Sequence, residues 1–572
     1  MTTAPRRLRR RPRLLVAAVA AALAGLLLSG CVSIPTQGPI GTGEVVPVEP
    51  GLAIPLADDP EPDASPEQIV AGFLSAGAAG LYDEFAVARK YLTVTAADSW
   101  DPRARVLVYP LQGGGPEIQT SEDGTVLATV PVAATVDAAG RYVEAAPGSR
   151  EEVAFELMLD GAGQWRISGL DDGVLMSSPN FQSLHRRSAV YFVSRDATQL
   201  VPEIRWFPTR NPATVAVEAL LAGPSPWLRD AVVTGVPEGT RLTTGAVTVV
   251  DGVATVDLSA EARRADSWQR RLIQAQLEAV LERVPGTLVS RVEVTVTGVP
   301  WDPEGVAGLA RDQAPASGPY LLSQDTLALL DGSDVVPLAD VAALEGLAAR
   351  SPAVGYDGVL RVVLAGRDRI MLLPLTAETP TVLVSGTDLL APSVDRADWV
   401  WTGERASGGI FLAVRPGAEP LLIPAEAYDG RQVRSVRVSR DGTRVAVVSA
   451  ADGDVSVDVS AVVREEDGTP RAVGPAMRVG ASLIDATEAV WVDEGTLAVL
   501  GTSGALAVPT THLVPLGGPT EALSIVDGAV GIAAGRSDRA LYVVTSEGVL
   551  HRRQNTSWLE VAEGVRAVAF PG

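Results

Sequence analysis

Residues that carry out covalent or metal chemistry are few and scattered in this chain of 572 residues. The one cysteine, Cys31, stands directly after a hydrophobic run. A lone thiol in that place can be modified at a membrane, but it has no cysteine within the chain to pair with and cannot by itself build a zinc-thiolate site. The three histidines, His185, His512 and His551, lie at no ligand spacing from one another and read as surface or packing residues. No Gly-x-Ser-x-Gly elbow, P-loop, His-Glu-x-x-His or calcium-loop pattern occurs. Asp452-Gly453-Asp454 and Glu465-Glu466-Asp467-Gly468 have the composition of solvated loops, and Asp441-Gly442 reads as a turn pair. Gly41-Thr42-Gly43 lacks the third glycine and following helix of a dinucleotide loop. The expectation is no catalytic residue, no metal and no cofactor. The enzymatic alternative is a hydrolase whose carboxylates converge only in three dimensions.

The elements around Cys31 say what its thiol is for. Arg6, Arg7, Arg9, Arg10, Arg11 and Arg13 form a basic flank, and the apolar run Leu14 to Leu28 follows. That run is shorter than the roughly 20 residues a spanning helix needs, as in the hydrophobic region of a signal peptide. It ends in Leu28-Ser29-Gly30-Cys31, which resembles the bacterial lipobox. The resemblance implies cleavage before Cys31, an S-diacylglycerol thioether on its sulfur and, as a further step, N-acylation. Two acyl chains anchor stably where one is marginal, so the expected location is the extracytoplasmic face of the plasma membrane. The alternative is an uncleaved anchor with a bystander thiol.

Composition limits the partners. The formal charge is −22, and removing the six signal-peptide arginines makes the remainder more acidic still. Such a surface argues against nucleic acid and against lying flat on anionic lipid. Lys90 is the only lysine. With 47% hydrophobic and 20% charged residues, the chain reads as folded material long enough for several cores.

Residues 1–30 are therefore read as a signal peptide and 31–62 as a lipidated, proline-rich tether carrying Pro35, Pro39, Pro47, Pro50, Pro55, Pro60 and Pro62. A capping box, Ser65-Pro66-Glu67-Gln68, opens a helix with Ile69, Val70, Phe73 and Leu74 on one face. A second helical stretch is expected near Phe85 to Leu92. Strand patterns follow at Arg105–Tyr109, Val126–Val136, Glu152–Leu159 and Trp165–Ile167, predicting a cone-like α+β domain with a curved antiparallel sheet over 63–180. A second α+β domain is expected over 186–302: strand Ala189–Val193, strand Leu200–Trp206, a helix capped by Asn211, the Asp251-Gly252 hairpin, a helix near Trp268–Arg283 and strand Arg291–Thr297. Trp206 and Phe207, followed by Pro208, are candidates for an exposed partner patch.

From 318 to 572, strand pairs recur every 35 to 55 residues or so, at Ala353-Val354, Trp399-Val400, Ser435–Ser439, Ala489–Val492 and Leu523–Val526. The spacing predicts a β-propeller of about six blades, with Ala567-Val568-Ala569-Phe570 closing the ring near Tyr320-Leu321-Leu322. The alternative is a pair of β-sandwiches. Trp399, Trp401 and Trp491 read as packing residues.

The second α+β segment is similar to the GerMN domain of germination proteins and lipoproteins. The matching stretches are Tyr191-Phe192, Leu200-Val201-Pro202-Glu203 with Arg205, Leu220-Leu221-Ala222-Gly223-Pro224, Pro237-Glu238-Gly239, and Asp251-Gly252 with Val256-Asp257-Leu258-Ser259. Behind a lipobox and an α+β domain, this order resembles the lipoprotein LpqB family of actinobacteria. The resemblance implies a non-enzymatic accessory lipoprotein that contacts the extracellular domain of the sensor histidine kinase of the MtrA/MtrB two-component system, in cell division and envelope homeostasis. A cell-wall glycan or small-ligand receptor, using the cone or the propeller mouth, is the alternative.

Overall fold

The computed structural model describes residues 57–572, apart from Gly113, residues 302–304, Ala314, Ala316, Ala377 and Ala505. The signal peptide, Cys31 and most of the tether lie outside the described residues. No described helix is long and apolar enough to cross a membrane.

Helix α1, Pro66–Ala79, begins with the predicted capping box: the Ser65 side chain accepts from the Gln68 backbone and Gln68 reaches back to the Ser65 backbone. It buries Ile69, Val70 and Phe73, and Phe73 meets Trp100 and Phe155 edge to face at 5.1 and 6.0 Å. The second helical stretch is shorter than its pattern. Only Ala86–Arg89, α2, is helical, because Phe85 takes a left-handed φ of 63° that puts its ring against Trp100. Helix α3, Val94–Ser99, follows. The single strand expected over Val126–Val136 is two, Val126–Pro131 and Ala134–Asp137, which enter different sheets around the corner after Pro131. The first sheet orders Glu117–Thr120, Val126–Pro131, Arg150–Leu159 and Trp165–Gly169; the second orders Tyr142–Glu144, Ala134–Asp137, Arg105–Tyr109 and Val174–Ser177. The sheet expected to be antiparallel throughout contains one parallel pair, Arg105–Tyr109 with Val174–Ser177. Asp58 and Asp59, placed in the tether by composition, are held to this module: the Tyr91 hydroxyl donates to the Asp58 carbonyl at 2.8 Å, and Lys90 pairs with Asp59 at 2.6 Å.

Helix α4, Ser178–Leu184, leads into the second module. His185–Ser194 pairs antiparallel with Leu200–Pro208, while Val253–Leu258 runs parallel to Arg291–Val296. Helices α5, Pro212–Leu221, and α6, Ser267–Leu281, join both sheets in one core. Asn211 precedes α5 but does not cap it through its side chain; it sits at φ 53° in the left-handed region, which asparagine tolerates better than most residues. The Asp251-Gly252 hairpin has φ of 49° and 78° at its central pair, as a primed two-residue turn requires. Glu203 and Arg205, two apart and so on one face of their strand, are buried together at 3.0 Å, and Arg205 donates to the Ala219 and Gly223 carbonyls. The residues that carried the motif resemblance thus staple α5 to its sheet.

The last module is a β-propeller. Among the described residues it contains six four-stranded antiparallel sheets. Their inner strands are Val565–Ala569, Ala349–Val354, Ser393–Val394, Gln432–Val438, Leu483–Asp493 and Ala529–Ala534, and each touches the next around the ring. The predicted closure is present: Tyr320, Leu321 and Leu322 pair with Ala569, Val568 and Ala567. Leu523–Val526 is not a strand; the inner strand there is Ala529–Ala534, and Leu523 and Val526 are buried as apolar plugs of the preceding loop.

Candidate functional site

The residues singled out as chemically able do not converge. Cys31 lies outside the described residues. His185 is buried against Phe181, with ring centroids at 4.7 Å, and burial pushes it down to about 4. His512 is buried in the fifth sheet of the propeller, and His551 is half-buried on the sixth. Among the described residues no group of three or more His, Cys, Asp or Glu could hold a metal ion. Trp399, Trp401 and Trp491 are buried as read. The Trp401 indole donates to the carboxylate of Asp395, which also pairs with Arg464 at 2.5 Å.

Trp206 and Phe207 are not an exposed patch. Phe207 is core. Trp206 is half-buried where all three modules meet: its ring lies 4.8 Å from Phe181 and 5.9 Å from Tyr142, and its indole N–H donates to Gly517 of the propeller at 2.7 Å. Its backbone N–H donates to Gly140 of the first module at 2.8 Å. Gly140 has φ +77°, and a Cβ there would come within 2.4 Å of the Trp206 carbonyl oxygen, so glycine is required. Close by, Glu144 accepts from the Thr520 backbone and hydroxyl at 2.9 and 2.7 Å.

The second junction is ionic. Asp441, read as half of a turn pair, does lie in the turn, and it also binds Arg444 at 2.6 Å with both side chains buried. Arg444 donates to the Glu494 carbonyl at 2.8 Å and lies over the Trp491 ring at 4.8 Å. Burial raises the Asp441 carboxyl, but the Arg444 charge and its hydrogen bonds outweigh this and hold it below the usual range. The Tyr191 hydroxyl of the second module donates to Glu494 at 2.5 Å. Burial pushes the Glu494 carboxyl up, against the pull of that hydrogen bond. These contacts were not legible in sequence, since Tyr191 and Glu494 are 303 residues apart.

The propeller's central channel is a cavity of about 550 Å³ lined by residues of all six inner strands and the segments adjoining them, and a smaller hollow of about 270 Å³ lies beside Tyr142, Phe181 and Trp206. Arg437 pairs with Glu488 at 2.9 Å, and the other Glu488 oxygen accepts the Ile532 N–H at 3.1 Å. Deeper, Arg440 donates to the carbonyls of Trp491, Val492 and Gly535 at 3.0, 3.1 and 2.5 Å. The available signal was Arg437 on the inner strand Gln432–Val438 with Arg440 in the turn just beyond it, and nothing in their spacing marks them as facing one channel.

Residues 325–571 match the model of the lipoprotein LpqB beta-propeller domain, residues 59–182 the lipoprotein LpqB N-terminal domain, and residues 189–302 the sporulation and spore germination domain. Lipoprotein LpqB of Cutibacterium acnes is 29% identical, with 96% of this chain and 97% of that protein aligned. Its namesake in Thermobifida fusca is 28% identical over 98% and 99% of the two chains. The one in Streptomyces coelicolor is 29% identical over 99% and 98%. Among solved structures, TolB from Acinetobacter baumannii is 12% identical with a TM-score of 0.34, covering 57% of this chain and 82% of that one. The tandem GerMN domains of GerM from Bacillus subtilis are 18% identical with a TM-score of 0.18, covering 27% and 59%. With family-specific models matching the modules at both ends, and relatives of that name aligned over nearly the full length, the chain belongs to the lipoprotein LpqB family of actinobacteria.

Proposed function

We propose that this chain is an accessory lipoprotein held on the extracytoplasmic face of the plasma membrane by an S-diacylglycerol group on Cys31, and that it binds the extracellular domain of a sensor histidine kinase, that of the MtrA/MtrB system. It acts there without catalysis. The observation that carries this reading is the match of a lipoprotein family over nearly the whole chain, behind a lipobox-like Leu28-Ser29-Gly30-Cys31. The acidic balance of −22 is in keeping with a protein partner rather than nucleic acid. The mechanism is mass action: the lipoprotein shifts the kinase between signalling states by its difference in affinity for them. Modules joined through Trp206 and through the Tyr191–Glu494 hydrogen bond suit this, because a firmly joined body can discriminate two conformations of a partner that a floppy chain would fit equally.

The test is co-purification of the full-length protein with the full-length kinase from membranes, together with response-regulator phosphorylation in cells with and without the gene. Specific capture and altered phosphorylation are expected. Failure of both rejects the partner. Cys31→Ser tests the anchor separately: the substituted protein leaves the membrane fraction, and retention there rejects lipidation at Cys31.

A further inference from the structure

We propose that the propeller channel is a blind binding pocket for a small organic anion, a carboxylate or phosphate on an apolar body, entered from the mouth ringed by Arg350 and Arg566. Several independent features point there. The charged side chains lining the cavity are Arg350, Arg437, Arg440 and Arg566 against Glu488 alone. In a chain of net charge −22 this is a local reversal of sign. Arg437 and Arg440 are held in place by Glu488, by Asp312 and by main-chain carbonyls, which leaves Arg350 and Arg566 as the cations of the mouth. Arg566 is half-exposed beside Asp325. Arg350 is exposed and has no bonding partner among the described residues, which leaves its planar donor fork free for a carboxylate or phosphate.

The mouth is built by a repeated backbone device. In five of the six inner strands the pairing register skips one residue near the strand's entry, and the skipped residues are Ser351, Arg434, Ile484, Val530 and Arg566. A bulge kinks its strand and re-aims a side chain, and three of the skipped residues, Ser351, Val530 and Arg566, line the cavity. Ser351, with Ala348 just upstream, has non-glycine positive φ of 33° and 48°, so the backbone around Arg350 is held in a conformation the chain would otherwise avoid. The opposite end is obstructed. Arg440 crosses it, Asp312 stands 3.8 Å from Arg440, the Tyr356 hydroxyl donates to the Gln313 carbonyl, and the Gly572 N–H donates to Val354 at 3.0 Å. A hollow of about 550 Å³ closed at one end suits a small molecule. Val394, Val490, Ile532 and Val568 on its walls suit an apolar body below the charged group.

The experiment is isothermal titration of the full-length protein in detergent with phenyl phosphate, inorganic phosphate, phenol and hexaglutamate. Saturable one-to-one binding of phenyl phosphate is expected, tighter than that of inorganic phosphate, with none of phenol. Arg350→Glu should weaken it by at least about ten-fold, the loss of one charge-assisted bond. Val530→Trp, at an exposed rim position, should block entry, and Arg103→Glu on the first module should change nothing. Because the Arg350 side chain bonds to nothing among the described residues, its replacement leaves the melting temperature unmoved, which separates a lost site from a lost fold. No saturable phenyl phosphate binding, equal affinity for phenol, or undiminished binding by both rim variants overturns the proposal. Hexaglutamate bound at the rim while phenyl phosphate is not taken up overturns it as well.

Discussion

Arg444→Ala is the most informative substitution in the ionic junction. The native guanidinium donates to Asp441 through Nε at 3.1 Å and Nη2 at 2.6 Å, with the two side chains 1% and 7% exposed. Asp441 also accepts from the Ser439 hydroxyl and the Thr443 N–H, both at 2.8 Å. Truncating the arginine strands a carboxylate where water cannot reach it and frees the Glu494 carbonyl, which costs about 3–5 kcal/mol for a broken buried pair. For a domain of this size each kcal/mol moves the midpoint by about 2–4 °C, so the propeller transition should fall by roughly 6–20 °C. Calorimetry of the full chain reads it. The observable is the shift of the propeller transition, since several modules need not unfold as one. Two signatures separate this account from general damage. Asp441→Asn combined with Arg444→Met removes both charges, so the double variant should be more stable than Arg444→Ala alone. With Arg444 absent, burial is opposed only by the Ser439 and Thr443 hydrogen bonds and the Asp441 pKa moves up, so the deficit should shrink as pH falls and the carboxyl protonates. A double variant no better than the single, or a deficit equal at pH 4 and pH 7, refutes the reasoning.

Two buried groups should bend the pH–stability curve in opposite directions. His185 has its folded pKa lowered to about 4, so the unfolded chain binds its proton first on acidification. Stability is then lost between pH 6.5 and about 4, by about 3 kcal/mol at 1.36 kcal/mol per unit, and His185→Leu should remove that loss in acid melts. Glu494 has its folded pKa raised, so the native state binds its proton first and stability falls as pH rises through that value; Glu494→Gln should flatten the fall and raise the neutral-pH midpoint. Trp206→Ala removes the indole bond to Gly517 and the packing on Phe181, a loss of about 3 kcal/mol, and should speed hydrogen exchange where Trp206 N–H meets Gly140. Gly140→Ala, which drives a methyl group into the Trp206 carbonyl, should loosen the same junction in the same assay.

Features that depend on neighbours in sequence were legible. The Ser65–Gln68 capping box, the Asp251-Gly252 turn and the apolar face of α6 are local, and each appears where its pattern places it. Propeller closure was also legible, because Ala567–Phe570 is a strand pattern with no partner left but the first sheet. What failed was context. Trp206 alternates like an exposed aromatic on its own strand, and only packing from two other modules buries it. Phe85 has the composition of a helix, yet a left-handed backbone there lets its ring reach Trp100. The channel was hidden for a related reason: each bulge shifts inward and outward faces by one residue, so alternation read straight through Arg434 or Val530 assigns the wrong side.

The pairing of Tyr320–Ser323 with Val565–Ala569 has a consequence in time. A polypeptide threaded across a membrane from its N-terminus delivers the first sheet's inner partner last, some 240 residues after the strand that awaits it. On the proposed export of this chain, Tyr320–Ser323 would present an unpaired edge until then and the ring could not shut, so the propeller's lifetime as an aggregation-prone intermediate would be set by export speed rather than by its own folding rate. On that proposal envelope chaperones would be needed most when translocation is slow, and a chain cut a few residues before Val565 should be degraded although nearly all of its core is intact.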